Sequence, residues 1–113
     1  MQPTCAAIHD LSCYAKSSLT VVLPVLEVMG VEACPLPTAL LSSQTDGFSS
    51  YYFRDTSADI KGILDAWKNL DLRFDAIYSG FLGSADQVAL IKQFIQDQRA
   101  ALTLVDPVLG DGG

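Results

Sequence analysis

Basic residues are scarce in this chain: 7 lysines and arginines stand against 13 aspartates and glutamates, for a net charge of -6. No basic run or patch appears, which excludes a general nucleic-acid or anionic-membrane binder. An acidic chain can still hold phosphate locally, through backbone N–H groups and a metal ion. Histidine occurs once, as His9, with no Cys or His partner at metal-ligand spacing, so a zinc site on it is disfavoured. Cys5, Cys13 and Cys34 are odd in number and form no C-x-x-C pair, which reads as reduced thiols of a cytoplasmic protein. Long apolar runs are also missing. The most apolar stretch, "LTVVLPVLEVMGV", is interrupted by Pro24 and Glu27 and is too short to span a bilayer. The start, "MQPTCAAIHD", lacks the basic and apolar regions of a signal peptide.

What remains is 113 residues, half of them apolar, which suits one small domain or part of a larger one. "TCAAIH" reads as a short buried strand that Asp10 leaves. "SSLTVVLPVLEVMG" reads as a helix with Ser17 or Ser18 as cap, Gly30 as stop and a bend at Pro24. Leu19, Val22, Leu23, Leu26 and Met29 form its apolar face. "VEACPLPTALL" reads as a second strand, with Pro35 and Pro37 marking an edge or an irregularity. A loop or small hairpin flap follows around Asp46-Gly47. Next come a helix capped by Ser57 with stripe Ile60, Ile63, Leu64 and Trp67, and the strand "FDAIYSG". A helix from about Ser84 to Arg99 with Val88, Ile91, Phe94 and Ile95 inward precedes the strand "ALTLVD". Strands alternating with helices predict an α/β fold, a parallel sheet with helices on both faces, over residues 1–113 as one domain.

Ligands of such sheets bind at the carboxyl ends of the strands. Polar residues collect there: His9-Asp10, then Ser42 to Asp46, then Ser79 to Ser84, then Asp106 with Asp111 beyond. Each has an ordinary alternative. Asp10 can cap a turn, and Gly80 and Gly83 can serve a tight strand-to-helix connection. Tyr51, Tyr52 and Phe53 can be flap packing. Asp106 and Asp111 flank a Pro-containing turn and are suited to hold Mg²⁺ or its waters, since hard cations take oxygen ligands.

"SGFLGS" followed by "DPVLGDGG" resembles the pyridoxal and pyridoxamine kinases of the ribokinase-like superfamily. "LPVLEVMGVEACPLPT" is similar to the bacterial pyridoxamine-type members, and the resemblance covers essentially the whole chain. It implies a ribokinase-like, Rossmann-like three-layer fold, truncated after about four strands and carrying a small flap. It also implies ATP-dependent phosphorylation of the 5′-hydroxymethyl group of vitamin B6, with Mg²⁺. By the same resemblance Asp10, Thr45 and Phe81 line the vitamin pocket, and Asp106 and Asp111 lie on the ATP–Mg²⁺ side. Relatives are commonly homodimers. Their catalytic aspartate lies in a Gly-Thr-Gly-Asp-type segment, expected beyond residue 113, so no catalytic base is assigned here and the 113-residue chain is expected to be inactive.

Departures from the pattern bear on the substrate. Phe81 lacks the usual tyrosine hydroxyl, Gln44 stands where His is frequent, and Cys13 and Ala15 replace common glycines. DPVxGD also occurs in hydroxymethylpyrimidine kinases, which makes that activity the nearest alternative. A non-catalytic relic or pairing subunit is the alternative from another class.

Overall fold

A computed structural model describes residues 2–14, 17–43, 49–80 and 82–106. The elements run β1 (Thr4–Tyr14), α1 (Leu19–Val28), β2 (Glu32–Ser43), β3 (Phe53–Asp55), α2 (Ser57–Asn69), β4 (Ala76–Ser79), α3 (Ala85–Gln98) and β5 (Leu102–Val105). This is the predicted succession, with β3 as the return strand of the flap. The five strands form one sheet in the order β3-β2-β1-β4-β5. β1 pairs in parallel with β2 and β4, β4 pairs in parallel with β5, and only β3 is antiparallel. The fold is thus mixed α/β, with four parallel strands and the flap strand.

β1 sits at the centre because its residues suit burial on both faces. Ala6 and Ile8 point to one side, where they meet Leu36, Ile77, Ile60 of α2 and Ile91 and Phe94 of α3. Cys5 and Ala7 alternate to the other side and are also buried. There α1 packs over β1 and β2, with Leu19 buried beneath it. A parallel strand covered on both faces reads as an unbroken apolar run, as "CAAI" does. At the far end of the core Trp67, Phe74 and Phe94 pack at ring centroid distances of 5.1, 6.1 and 6.0 Å.

β1 does not stop at Asp10. It continues to Tyr14, past a register shift. His9 faces Pro37 but Leu11 faces Leu40, so Asp10 stands opposite two residues, Thr38 and Ala39. That is the two-against-one geometry of a β-bulge. The buried positions of β2 change parity there, from Leu36 and Thr38 to Ala39, Leu41 and Ser43. The prolines fit the same picture. Glu32 donates its N–H toward β1, to the Pro3 carbonyl. Before the bulge, odd-numbered N–H positions therefore face away from β1. Pro35 and Pro37 occupy two of these, short of Ala39–Leu41, where β3 pairs.

Helix ends bring several corrections. Ser18 occupies the α1 cap position, but its hydroxyl makes no capping bond. The hydroxyl of Thr20 accepts the Ser17 N–H instead. Gly30, at φ 83°, closes α1: its N–H bonds the Glu27 carbonyl and the Val31 N–H bonds that of Leu26. Met29 is exposed rather than part of the apolar face. Ser57 is the first residue of α2, not its cap; the Asp55 carboxylate accepts both its N–H and its hydroxyl, at 2.7 and 2.6 Å. In α3, Val88 faces solvent, and Gln87 takes the inward position one residue earlier. α1 runs through Pro24, which costs the helix one backbone donor.

Gly80 follows β4 directly, and a Cβ placed on it would overlap the His9 ring. We expect Gly80→Ala to lower unfolding free energy by about 1–3 kcal/mol in urea denaturation. Adding His9→Ala should recover part of that loss; no recovery would mean that the His9 ring is not what Gly80 accommodates.

Candidate functional site

Among the described residues, buried polar side chains gather at one end of the sheet. His9 and Ser12 of β1, Thr38 and Ser43 of β2, Thr56 after β3, Ser79 of β4 and Gln87 of α3 are all buried. The buried polar residues of the strands all lie at or past the level of Ser79, where β4 ends opposite Ile8 and Leu36. The chain leaves β1 on one side to form β2 and returns on the other side to form β4. The reversal makes the crevice between the carboxyl ends of β1 and β4 the topological switch point, where ligands of open α/β sheets bind.

Asp10 stands at that crevice. Its Oδ1 accepts the Ser18 hydroxyl at 2.6 Å and its Oδ2 accepts the Ser12 hydroxyl at 3.2 Å. Two neutral donors therefore fix the carboxylate without neutralising it, and each oxygen keeps capacity for a further partner. Ser18 reaches it from a φ of 50°, a region that side-chain-bearing residues seldom occupy. The turn-capping alternative is thus partly realised, because Asp10 anchors the start of α1. The sequence marks Ser18 only as a helix cap and does not single out Ser12, yet both hydroxyls bond Asp10.

His9 is buried and stacks edge-on against Tyr78 at a centroid distance of 4.6 Å. Burial pushes its pKa down, while the charges of Asp10 and Asp106 pull it up. Asp106 is therefore within electrostatic reach of His9, across the mouth of the crevice. Its N–H bonds the Ser79 carbonyl at 2.8 Å, extending the β4–β5 pairing by one residue. His9 Nε2, one residue past the level where β4 ends, and Ser79 Oγ, at the end of β4, are buried with no hydrogen-bond partner among the described residues. Unpaired buried polar atoms are rare in proteins, and these two flank the switch point.

Asp10 and Asp106 thus come to one rim. Thr45, Phe81 and Asp111 lie outside the described residues, as does the Asp46-Gly47 turn. Among the described residues no group of three or more His, Cys, Asp or Glu gathers to hold a metal. Asp106 is the one expected Mg²⁺ ligand described, and alone it does not make a metal site.

No protein-family model matches the chain. Among solved structures, a candidate phosphomethylpyrimidine kinase from Bacteroides thetaiotaomicron, crystallised with pyridoxal, is 45% identical. It matches over 100% of this chain and 40% of that one, with a TM-score of 0.93. Pyridoxal kinase from Lactobacillus plantarum is 35% identical over 98% of this chain and 40% of its own, also at 0.93. Over its whole length the chain is thus similar to pyridoxal kinases and to a candidate phosphomethylpyrimidine kinase. It spans about 40% of the length of these relatives, consistent with an amino-terminal portion of the ribokinase-like fold. A Staphylococcus aureus pyridoxal kinase crystallised with AMP-PCP and pyridoxal, 19% identical over 99% of this chain and 41% of its own, shares the fold at a TM-score of 0.81.

The buried histidine gives this chain a defined acid sensitivity. Its pKa lies below the ordinary 6.5, so as pH falls below 6.5 the unfolded chain takes up a proton before the folded one does. Stability is therefore complete above pH 6.5 and declines as pH falls toward the folded pKa. Asp55, whose carboxylate is held below the ordinary 3.8 by its bonds to Ser57, stabilises the fold above 3.8 and loses that contribution only as pH falls below it. Urea midpoints measured on lowering the pH below 6.5 should fall for the wild type and stay level for His9→Asn until the acidic range. Equal slopes would mean that His9 titrates freely in the folded state.

Proposed function

We propose that this chain is the vitamer-binding portion of a kinase that transfers the γ-phosphoryl group of ATP to the 5′-hydroxymethyl group of pyridoxal, pyridoxamine or pyridoxine. The observation that carries this reading is Asp10: a carboxylate held by two hydroxyls at the switch point of a fold shared with a 35%-identical pyridoxal kinase over nearly the whole chain. A pyridine ring needs an apolar seat with a few fixed polar contacts. Asp10 supplies the acceptor for a ring N–H or hydroxyl, and Thr45 and Phe81 are assigned to the same pocket by motif. Asp106 and Asp111 are assigned by motif to the nucleotide and its Mg²⁺. The general base is placed in chain beyond residue 113, and the active form is read as a cytoplasmic homodimer. β5 supports a larger sheet: Leu102, Leu104 and Val105 are apolar yet exposed, as suits a strand made to be covered on both faces.

Hydroxymethylpyrimidine phosphorylation is the second reading, favoured by the description of the 45%-identical Bacteroides protein as a candidate phosphomethylpyrimidine kinase. The two separate in a substrate panel with MgATP, run on a protein comprising this chain and the remainder of the family domain. The B6 vitamers should exceed the pyrimidine in kcat/KM by about tenfold or more, a margin worth ~1.4 kcal/mol. Preference for the pyrimidine would overturn the first reading. Residues 1–113 alone should form no pyridoxal phosphate, and turnover by them would refute the placement of the base.

In the longer protein, Asp10→Ala should raise the KM for the vitamer about 10- to 100-fold, the loss of one charge-assisted hydrogen bond. The KM for ATP should stay near its original value. Equal losses for both substrates would make Asp10 an architectural residue.

A further inference from the structure

Gln87 is fully buried, with 0% of its surface exposed, at the third position of α3. Its amide reaches three separate segments. Oε1 accepts the Gly83 N–H at 2.8 Å; Nε2 donates to the Thr38 carbonyl at 2.7 Å and to Asp55 Oδ1 at 3.0 Å. The orientation of the amide is fixed by its partners, because a backbone N–H only donates and a backbone carbonyl only accepts.

The three segments share one property: each borders the rim that carries Asp10. Thr38 is half of the β2 bulge opposite Asp10. Asp55 ends β3, the return strand of the flap, and holds the first residue of α2. Gly83 belongs to the connection between β4 and α3, on the other side of the switch point. These elements are far apart in sequence, and no other side-chain hydrogen bond recorded among the described residues joins all three.

We propose that Gln87 is a positioning residue for the ligand at this rim: it locks the flap base and the β4–α3 connection to the bulge facing Asp10. The proposal rests on the reading of the rim as a vitamer pocket. On that reading, vitamer affinity depends on Gln87 although Gln87 lies beneath the rim, below the ligand.

A control is available within the same helix. Gln98, at the opposite end of α3, also spends its amide on backbone groups, accepting the Phe74 N–H at 3.0 Å and donating to the Leu72 carbonyl at 2.9 Å. It lies at the amino ends of the strands, away from the rim. Gln98→Met therefore removes comparable bonds and costs stability without touching the pocket.

The test compares Gln87→Met, Gln87→Glu and Gln98→Met in the longer protein, at a temperature where all three are folded. Pyridoxal affinity is read by equilibrium binding and local opening by amide hydrogen exchange. Gln87→Met should weaken pyridoxal binding about tenfold and speed exchange at Gly83 and across residues 53–57 together. Gln87→Glu keeps the acceptor for Gly83 but loses both donors, so it should open residues 53–57 and leave Gly83 protected. Gln98→Met should leave pyridoxal affinity within about twofold of wild type. Unchanged affinity in Gln87→Met, or an equal loss in Gln98→Met, overturns the proposal. Should the wild type bind no pyridoxal, the vitamer reading fails; the exchange pattern then decides the positioning role separately, and uniform rather than paired opening rejects it.

Discussion

β1 has a parallel neighbour on each side and a packed layer on each face, and this enclosure constrains everything around it. A strand so placed has no exposed backbone and no room for large side chains, which is why Cys5, Ala6 and Ala7 precede Ile8. Polar groups can enter only where the neighbouring strands end. β4 stops at Ser79, level with Ile8, so one side of β1 is released just as the sequence turns to His9 and Asp10. The crevice is thus a consequence of unequal strand lengths around one central strand.

On the other side β2 does not release β1; it adds a residue. The bulge at Thr38 and Ala39 lets β1 and β2 run on together to Tyr14 and Ser43, with the inward faces redistributed. A carbonyl displaced by a bulge needs a new donor, since buried backbone groups are almost always paired. Thr38 obtains one from Gln87. Pro37, the residue before the bulge, obtains one from the Thr56 hydroxyl at 2.7 Å. The irregularity that keeps Asp10 in a strand is therefore stabilised from the α2–α3 side of the sheet, by side chains at the starts of both helices.

The order and type of the elements could be read from apolar periodicity and from Gly and Pro punctuation, because both act locally. So could the rim, because carboxyl-end clustering follows from topology alone. The extension of β1 past Asp10 could not. "DLSC" is no better a strand than a turn until β2 is beside it, and the bulge that preserves pairing is a property of two strands at once. Apolar periodicity places Val88 in the core because it counts only apolar side chains. The buried residues of α3 are Gln87, Ile91 and Phe94, Ile95 packs against the core beside them as expected, and partly exposed Gln98 lies beyond. A signal for Gln87 did exist: Ser84 and Gln87 have the spacing of a capping box, and the Ser84 hydroxyl does accept the Gln87 N–H at 3.2 Å. What the box does not reveal is that the glutamine side chain turns away from the helix to serve Thr38 and Asp55.

The choice of an amide at position 87 follows from the charges around it. Asp10, Asp55 and Asp106 already place three carboxylates on this side of a chain whose net charge is -6. A buried glutamate would meet Asp55 and the Thr38 carbonyl with acceptors only, and a lysine or arginine could not accept the Gly83 N–H. An apolar residue would take the amide's bonds from the Gly83 N–H and the Thr38 carbonyl and leave Asp55 to Ser57 alone, and a lost bond that is shielded from water costs about 1–3 kcal/mol. Glutamine is neutral and both donates and accepts, and its reach spans β2, β3 and the β4–α3 connection from one helix turn. The same reasoning holds for Asp10, where Ser12 and Ser18 orient the carboxylate as neutral donors. A cation there would have consumed the charge. With serines the carboxylate is oriented and remains available to whatever occupies the crevice.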